Sequence, residues 1–574
     1  GDSLLATNLR NKICEVFQIE IPFEMIYKAA VLSEMAEVID SMKEDSVSKE
    51  SLIRIKDDNP YEPFPLTDIQ QSYMIGRSGD YELGNVSSHC YFEMDVGPID
   101  TVRMEEALNK LIELHPMLRA VICEDNIHQR ILEKTEYYHI DRKDLSDLTD
   151  SQKEECLLKE RDEMGHQTLN PYQWPAYDFR YCKLDESHGR ILISFDNVFF
   201  DGWSMFYIFR QWKQLYANID LKLKKADMTF KEYVLSCAAT DTENQAAVDS
   251  DLEYWNQKLP YIYPSPDINV KRNTQNDSFV RYQLGLTATK WENLKQKIRS
   301  VGLTAPTFLM SLYAEVLASF SRKQQFSLNI TRFKRCPFSE NINDIVGDFT
   351  TLTILSLDRS EGNNFLERTR NLQTTLWSDI SHDHIDGVEV ERMLNRGKVN
   401  GVTMPIVFTS GIGLMEDRTI EDNSYLGEIG YGLSQTPQVW MDMQVYDDKN
   451  GLSVSMDAMK EIFPSGMLDE FWDSYNKLLE EFVNDETSWT KNIGNLTHPG
   501  NEKLVVSLND TKRNIQASTS LNGFYENTKI HPNNVAIYYK DRLITYGQLF
   551  GYSYELAQRL IKNGFEGKEP VGIL

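Results

Sequence analysis

The chain has 574 residues, 41% of them hydrophobic, with 28 Tyr and 26 Phe. It is too long for one ordinary domain and apolar enough to fill large cores, which excludes global disorder. A formal net charge of −27 argues against nucleic acid as a partner. Seven cysteines, an odd number without a C-x-x-C pair, argue against a disulfide framework or a thiolate zinc site and point to a reducing cytoplasm. No apolar run is long enough to span a membrane and no signal peptide is evident, so a membrane partner is not expected.

Residues 1–41 carry helical periodicity: Leu4, Leu5, Leu9, Ile13 and Val16 recur at three- and four-residue spacing, and Asp2 or Ser3 can cap the helix. Residues 42–58, rich in Lys, Glu, Asp and Ser, read as a linker. From Asn59 to Pro499 helical segments such as Thr101–Leu114 and Ser151–Met164 alternate with strand-like ones such as Arg190–Phe195, Phe326–Thr331 and Thr350–Leu357. This is an α/β composition long enough for two lobes, about 59–235 and about 236–499. The polar passage Asn495–Ser518 reads as a second linker, and residues 500–574 add a strand at Val535–Tyr539 and a helix at Thr545–Asn563. The chain opens at Gly1 without Met and stops at Leu574 within an apolar run, so both ends read as cut from a longer polypeptide.

Gly1-Asp2-Ser3-Leu4 at a helix start has three readings. Ser3 is an N-cap; or its hydroxyl, near the positive end of the helix dipole, receives a phosphate; or G-D-S-L is the signature of a serine hydrolase. The last reading needs a D-x-x-H pair in the same domain, and Asp379-Ile380-Ser381-His382 is such a pair across a linker, which we treat as a decoy.

Asp196-Asn197-Val198-Phe199-Phe200-Asp201-Gly202-Trp203-Ser204 follows the apolar strand Ile191–Phe195. Two carboxylates five residues apart past a strand can hold a metal, act as an acid/base pair or fix the loop. Few further oxygen or nitrogen ligands lie nearby, so no metal is expected, and a buried Asp there is normally salt-bridged or bonded to backbone amides.

Several segments carry a family resemblance. Gly1-Asp2-Ser3-Leu4-Leu5-Ala6 resembles the core of peptidyl carrier proteins, which implies 4'-phosphopantetheine on Ser3 and identifies 1–41 as the end of a carrier domain. Asp196, Asp201 and Ser204 fit the D-x-x-x-x-D-x-x-S pattern of heterocyclization domains of nonribosomal peptide synthetases, where ordinary condensation domains have H-H-x-x-x-D-G. Phe64–Tyr73 with Gly76-Arg77, His115–Ala120, Gly347–Thr350, Pro405–Ser410 and Ser434–Asp442 resemble further motifs of that family in order. Met443-Gln444 departs from the His-Gln frequent in relatives. Phe524-Tyr525, Pro532, Val535–Ile537 and Thr545–Leu549 resemble the start of an adenylation domain, short of its phosphate loop.

The resemblance implies a two-lobed chloramphenicol-acetyltransferase-like α/β fold for residues 59–499, with a channel between the lobes that admits a carrier arm from each side. Thr409 and Asp442 match the pair used for cyclization and dehydration, and Gln438, Trp440 and Ser410 are expected along the channel. Asp201 matches a structural Asp whose basic partner is expected to be Arg335. The implied reaction condenses an upstream acyl thioester with carrier-bound Cys, Ser or Thr, then cyclizes and dehydrates it to a thiazoline or oxazoline. The implied partners are an upstream and a downstream carrier domain, each armed with phosphopantetheine, and an adjacent adenylation domain. The alternatives are an ordinary amide-forming condensation domain and a non-catalytic carrier-docking domain.

Overall fold

The computed structural model describes residues 51–77, 86–271, 278–396, 403–413, 426–493, 496, 499–513, 519–568 and 570–572, together with Leu32–Glu44 and isolated positions before it. Contacts divide the chain into Gly1–His498 and Pro499–Leu574.

In the first unit, five strands form one sheet and six another. In chain order the strands are β1 (His89–Val96), β2 (Asp141–Asp144), β3 (Tyr177–Lys183), β4 (Gly189–Asp196), β5 (Phe279–Thr287), β6 (Gln325–Phe333), β7 (Thr350–Asp358), β8 (Ile406–Gly411), β9 (Glu428–Gln435), β10 (Met441–Asp448) and β11 (Gly451–Met459). The first sheet has the order β9-β1-β4-β3-β2 and the second β7-β6-β8-β10-β11-β5. In the second sheet β8 pairs in parallel with both β6 and β10, and the outer pairs are antiparallel. Phe64–Pro65 joins Ala120–Ile122 and His128–Ile131 in a small third sheet.

Each large sheet buries its own apolar cluster. In the first, Ile191, Ile193 and Phe195 of β4 pack with Trp212 and Leu108. In the second, Phe408, Met441, Met443 and Val445 pack with Leu312, Leu317 and Phe471. The helices that matter for the site are α1 (Asp68–Gly76), α2 (Thr101–Leu114), α3 (Gly202–Ala217), α4 (Phe230–Glu243), α5 (Ala305–Phe320) and α6 (Met467–Asn484). Their starts are written in the sequence. Thr67 with Gln70 and Thr229 with Glu232 form capping boxes, and Asp100 and Asp201 accept first-turn amides of α2 and α3. The helix α5 is apolar nearly all round and is buried along almost its whole length, as a central core helix must be.

Two expectations change here. The strand β9 lies in the C-terminal half of the chain yet pairs antiparallel with β1 of the first sheet, so the two lobes interlock. The expected lobe boundary at 235/236 falls inside α4, a continuous capped helix. Toward the N-terminus, Ile13 packs with Ile19, Ile21, Ile26, Met35 and Ile39, while Leu9 and Val16 of the same apolar pattern stay exposed. Ser3, Leu4 and Leu5 lie outside the described residues.

The second unit has helices Pro499–Asn509, Asn522–Ile530 and Tyr546–Lys562 around the hairpin Val535–Tyr539/Arg542–Thr545. Part of the passage read as a linker is therefore helical.

Candidate active site

A cavity of about 1850 Å³ opens between the two large sheets, walled by Phe92 of β1, Phe206 of α3, Asn329 and Thr331 of β6, Thr409 of β8 and Asp442 of β10, among others. The period-two alternation of strands decides which side chains reach it. Along β8, Val407 and Thr409 face the cavity, whereas Ile406 and Phe408 enter the core. Along β10, Asp442, Gln444 and Tyr446 face the cavity, whereas Met441, Met443 and Val445 enter the core. Met443, the departure from the family pattern, is thus a core residue with no exposure and sits on the opposite side of the strand from Asp442.

Register then brings the polar groups together. Thr409 stands opposite Gln444 on β10 and Thr331 on β6, so Asp442 is its diagonal neighbour on the same face. The Thr409 hydroxyl lies 3.0 Å from Asp442 Oδ1 and 3.1 Å from Thr331 Oγ1. Gln444 Nε2 donates to Asp442 Oδ2 at 2.8 Å and to Asp457 Oδ2 at 3.1 Å. On the other side of Asp442, Asp457 is its direct antiparallel partner and Arg281 is the partner of Asp457, so the three form one row across β10, β11 and β5.

Like charges directly opposite one another are unfavourable. Arg281 offsets that of Asp457, donating from Nε to Oδ1 at 2.7 Å, while Ser434 N–H of β9 donates to Asp457 Oδ2 at 2.8 Å. Among the described residues, no cation forms an ion pair with Asp442 itself. Burial, with the neighbouring Asp457 adding to it, pushes its carboxyl up to about 6, against the opposing bonds from Gln444 and Thr409. A carboxyl poised there gives and takes protons near neutral pH. Asn329 Oδ1 is buried in the same wall with no hydrogen-bond partner among the described residues, an acceptor left open to a donor in the cavity. Among the described residues no group of three or more His, Cys, Asp or Glu is arranged to hold a metal ion.

The D-x-x-x-x-D-x-x-S segment sits at the end of β4 and the start of α3; Asn197 and Asp201 border the cavity, while the side chains of Asp196, Asp201 and Ser204 are bonded within the protein. Asp196, fully buried, accepts from Arg77 at 2.9 Å on both oxygens and from the Val198 amide at 3.1 Å. Burial raises its carboxyl and Arg77 opposes the rise. Asp201 caps α3 through the Ser204 amide at 2.7 Å and pairs with Arg335 at 3.1 Å. Ser204 Oγ donates to the Gly347 carbonyl at 2.8 Å, and the Phe349 amide donates to Asp201 Oδ2 at 3.3 Å. The segment therefore ties β4 to the Gly347–Phe349 turn. Gly76, just before Arg77, is held close to the Pro405–Asp442 region of the site: a Cβ there would stand 2.7 Å from Pro437 Cβ.

Three expected channel residues do not line the cavity. Ser410 follows Thr409 and so points to the opposite face of β8. Trp440 precedes β10 and packs on the second core. Gln438 occupies a left-handed turn with φ 62° before the strand begins. Thr436 and Val439 of the same motif line the cavity instead. The hydrolase decoy fails on geometry as well: Asp379 bonds to Lys258 and Tyr254, and the His382 ring stacks on Tyr254 at 3.7 Å. The sequence reading missed Arg281, Asn329, Thr331, Gln444 and Asp457 as site residues. Polar side chains at alternating positions of otherwise apolar strands were the available signal.

Residues 62–505 match the family described as the condensation domain. The chain belongs to the condensation-domain family. Residues 1–39 match the phosphopantetheine attachment site family, so this condensation-domain chain carries a region for covalent 4'-phosphopantetheine. It is similar to bacitracin synthase 1 of Bacillus licheniformis, 30% identical over all of this chain and 11% of that protein. It is 30% identical to pyochelin synthetase PchF of Pseudomonas aeruginosa over 89% of this chain and 28% of that one. Against phenyloxazoline synthase MbtB of Mycolicibacterium paratuberculosis the identity is 25%, over 89% of this chain and 44% of that one. The chain thus spans between about a tenth and just under half of the length of these relatives. Among solved structures, the EpoB cyclization-docking bidomain of Sorangium cellulosum superposes with a TM-score of 0.70 at 29% identity, covering 80% of this chain and 92% of that one. The peptide synthetase FmoA3 superposes with a TM-score of 0.72 at 25% identity, covering 91% and 53%.

Proposed function

We propose that this condensation-domain chain is a heterocyclization domain: it joins an upstream acyl thioester to carrier-bound Cys, Ser or Thr, then closes and dehydrates a five-membered ring. The observation that carries the reading is the Thr409–Asp442 contact inside the cavity, with the carboxyl raised to about 6. The Asp196–Ser204 segment supports it, since aspartate stands there where an amide-forming domain has histidine. Similarity to a phenyloxazoline synthase and a cyclization-docking bidomain points the same way.

The phosphopantetheine arms supply the substrates as thioesters. In the first step the amine of the acceptor attacks the donor carbonyl, the C–S bond to the donor arm breaks and an amide forms. Holding both thioesters in one cavity makes this step effectively unimolecular. In the second step the acceptor's thiol or hydroxyl adds to the new amide carbonyl. In the third the former carbonyl oxygen leaves as water and the amide N–H proton is lost, which creates the C=N bond. Asp442 takes the nitrogen proton as a carboxylate and delivers a proton to the departing oxygen as an acid. Such positioned transfer contributes about 10²–10⁴-fold. Thr409, sharing a bond with Thr331, holds Asp442 Oδ1 toward the reacting oxygen, and Gln444 fixes Oδ2.

Asp201 and Arg335 serve the architecture, and Ser3 is the residue proposed to bear the arm of the preceding carrier. The segment after Pro499 is read as the beginning of the neighbouring adenylation domain. Mass spectrometry of the loaded downstream carrier tests the whole reading. Loss of one water beyond amide formation supports it; an uncyclized amide marks an ordinary condensation domain, and no product marks a docking domain.

A further inference from the structure

Between the carrier-side residues and the condensation core, Ser51–Asp57 runs extended and antiparallel to α4. Its alternate backbone amides each meet a side chain one helical turn from the last. Asp57 N–H donates to Glu232 Oε1 at 3.2 Å and Ile55 N–H to Ser236 Oγ at 2.8 Å. Ile53 N–H donates to Thr240 Oγ1 at 3.0 Å and Ser51 N–H to Asn244 Oδ1 at 2.9 Å. The spacing matches, because two extended residues rise about 6.6–6.8 Å and four helical residues about 6.0 Å. Asn244 Nδ2 donates back to the Ser51 carbonyl at 3.0 Å, the Arg54 guanidinium donates to the Asp227 carbonyl at 2.8 Å, and Lys231 pairs with Asp57 at 2.7 Å. Ser, Thr and Asn are poor choices for a helix. Here they form one stripe that binds the incoming chain.

We propose that α4 is a docking rail for the interdomain linker and sets the reach of the upstream carrier. The helix on the carrier side ends at Glu44 and the docked segment begins at Ser51, seven Cα steps on. That tether spans at most about 25 Å. Released back to Asp57 it has thirteen steps and spans about 47 Å. Effective concentration falls roughly as the −3/2 power of tether length, so docking raises the local concentration of the preceding carrier about two- to threefold. The proposal rests on the condensation reading for its consequence, though not for its geometry.

The test uses the full synthetase polypeptide with the triple substitution Ser236→Ala, Thr240→Val and Asn244→Ala, none of which touches the cavity. Amide hydrogen exchange is followed at residues 51, 53 and 55. Amide-bond formation is measured with the donor loaded on the preceding carrier and, separately, with a small soluble donor thioester. Docking predicts faster exchange at those amides, a two- to threefold slower reaction from the carrier-bound donor and an unchanged rate from the soluble one. Unprotected amides in the unaltered protein, an unchanged or faster carrier-bound rate, or an equal fall with both donors overturns it. The exchange measurement needs no turnover, so its failure is separate from any failure of ring formation.

Discussion

The Thr409 hydroxyl and the Asp442 carboxylate, 33 residues apart, meet at 3.0 Å because β8 and β10 pair in parallel with Thr409 opposite Gln444. A shift of one residue in that register would send one of the two into the apolar core. The pair is therefore a product of sheet geometry, and the reactivity of its carboxyl is a product of burial beside Asp457.

Asn329 offers the sharpest separation of activity from stability. Its Oδ1 has no partner to lose, so Asn329→Ala should leave the urea unfolding free energy within about 1 kcal/mol of the parent. Turnover should fall about tenfold or more through loss of a positioning contact. Denaturant titration and product formation on the same samples check both halves. A clear stability loss with unchanged turnover would assign Asn329 to the fold.

The raised carboxyl of Asp442 is also a stability statement. Its folded value, about 6, lies above the ordinary 3.8, so the protonated form is favoured by folding. That contribution is fully present below about pH 4 and is lost as pH rises through about 6. Asp442→Asn should then be more stable than the parent at pH 8, by up to about 3 kcal/mol, and lose the advantage by pH 4. Thermal melts across that range provide the check, and an advantage independent of pH would contradict the shift.

Arg335 and Asp201 make a buried pair, with Arg335 also donating to the Ile345 carbonyl at 2.9 Å and Asp201 capping α3. Arg335→Ala leaves a buried carboxylate uncompensated and should cost about 3–5 kcal/mol at pH 7. The double change Arg335→Met, Asp201→Leu should cost less than the sum of the two singles, as a chemical-denaturation cycle would reveal.

Asp196 depends on Arg77 in the same way, with a pH signature. Burial already raises its carboxyl, so Arg77→Ala should raise it further. The sign follows: stability of the variant recovers as pH falls through the new value, because protonation removes the buried charge. At pH 7 the deficit should be about 3–5 kcal/mol. A deficit constant from pH 5 to 8 would contradict this account.

Much of the fold was legible. The helix Thr101–Leu114 and the strand Val535–Tyr539 match residue for residue, since apolar periodicity and Asp100 as cap fix the first, and a short apolar run bounded by turns fixes the second. Lobe membership was not legible, because β9 leaves its sequence neighbours to pair with a strand more than 300 residues earlier. Within the site, motif resemblance singled out Thr409 and Asp442. Arg281 and Asp457 became visible only through pairing across 176 residues. Gln438 shows a third limit: the motif resemblance placed it along the channel, but it turns the chain at φ 62° before β10 starts, a backbone conformation that the motif does not reveal.

The most direct test is mass spectrometry of the downstream carrier after reaction of Asp442→Asn beside the parent, both supplied with a donor thioester and carrier-bound Cys. The account predicts that the parent releases one water beyond amide formation, while the variant still forms the amide and ring closure falls about 10²-fold or more. Ring formation at the parental rate, or equal loss of both steps, would contradict it.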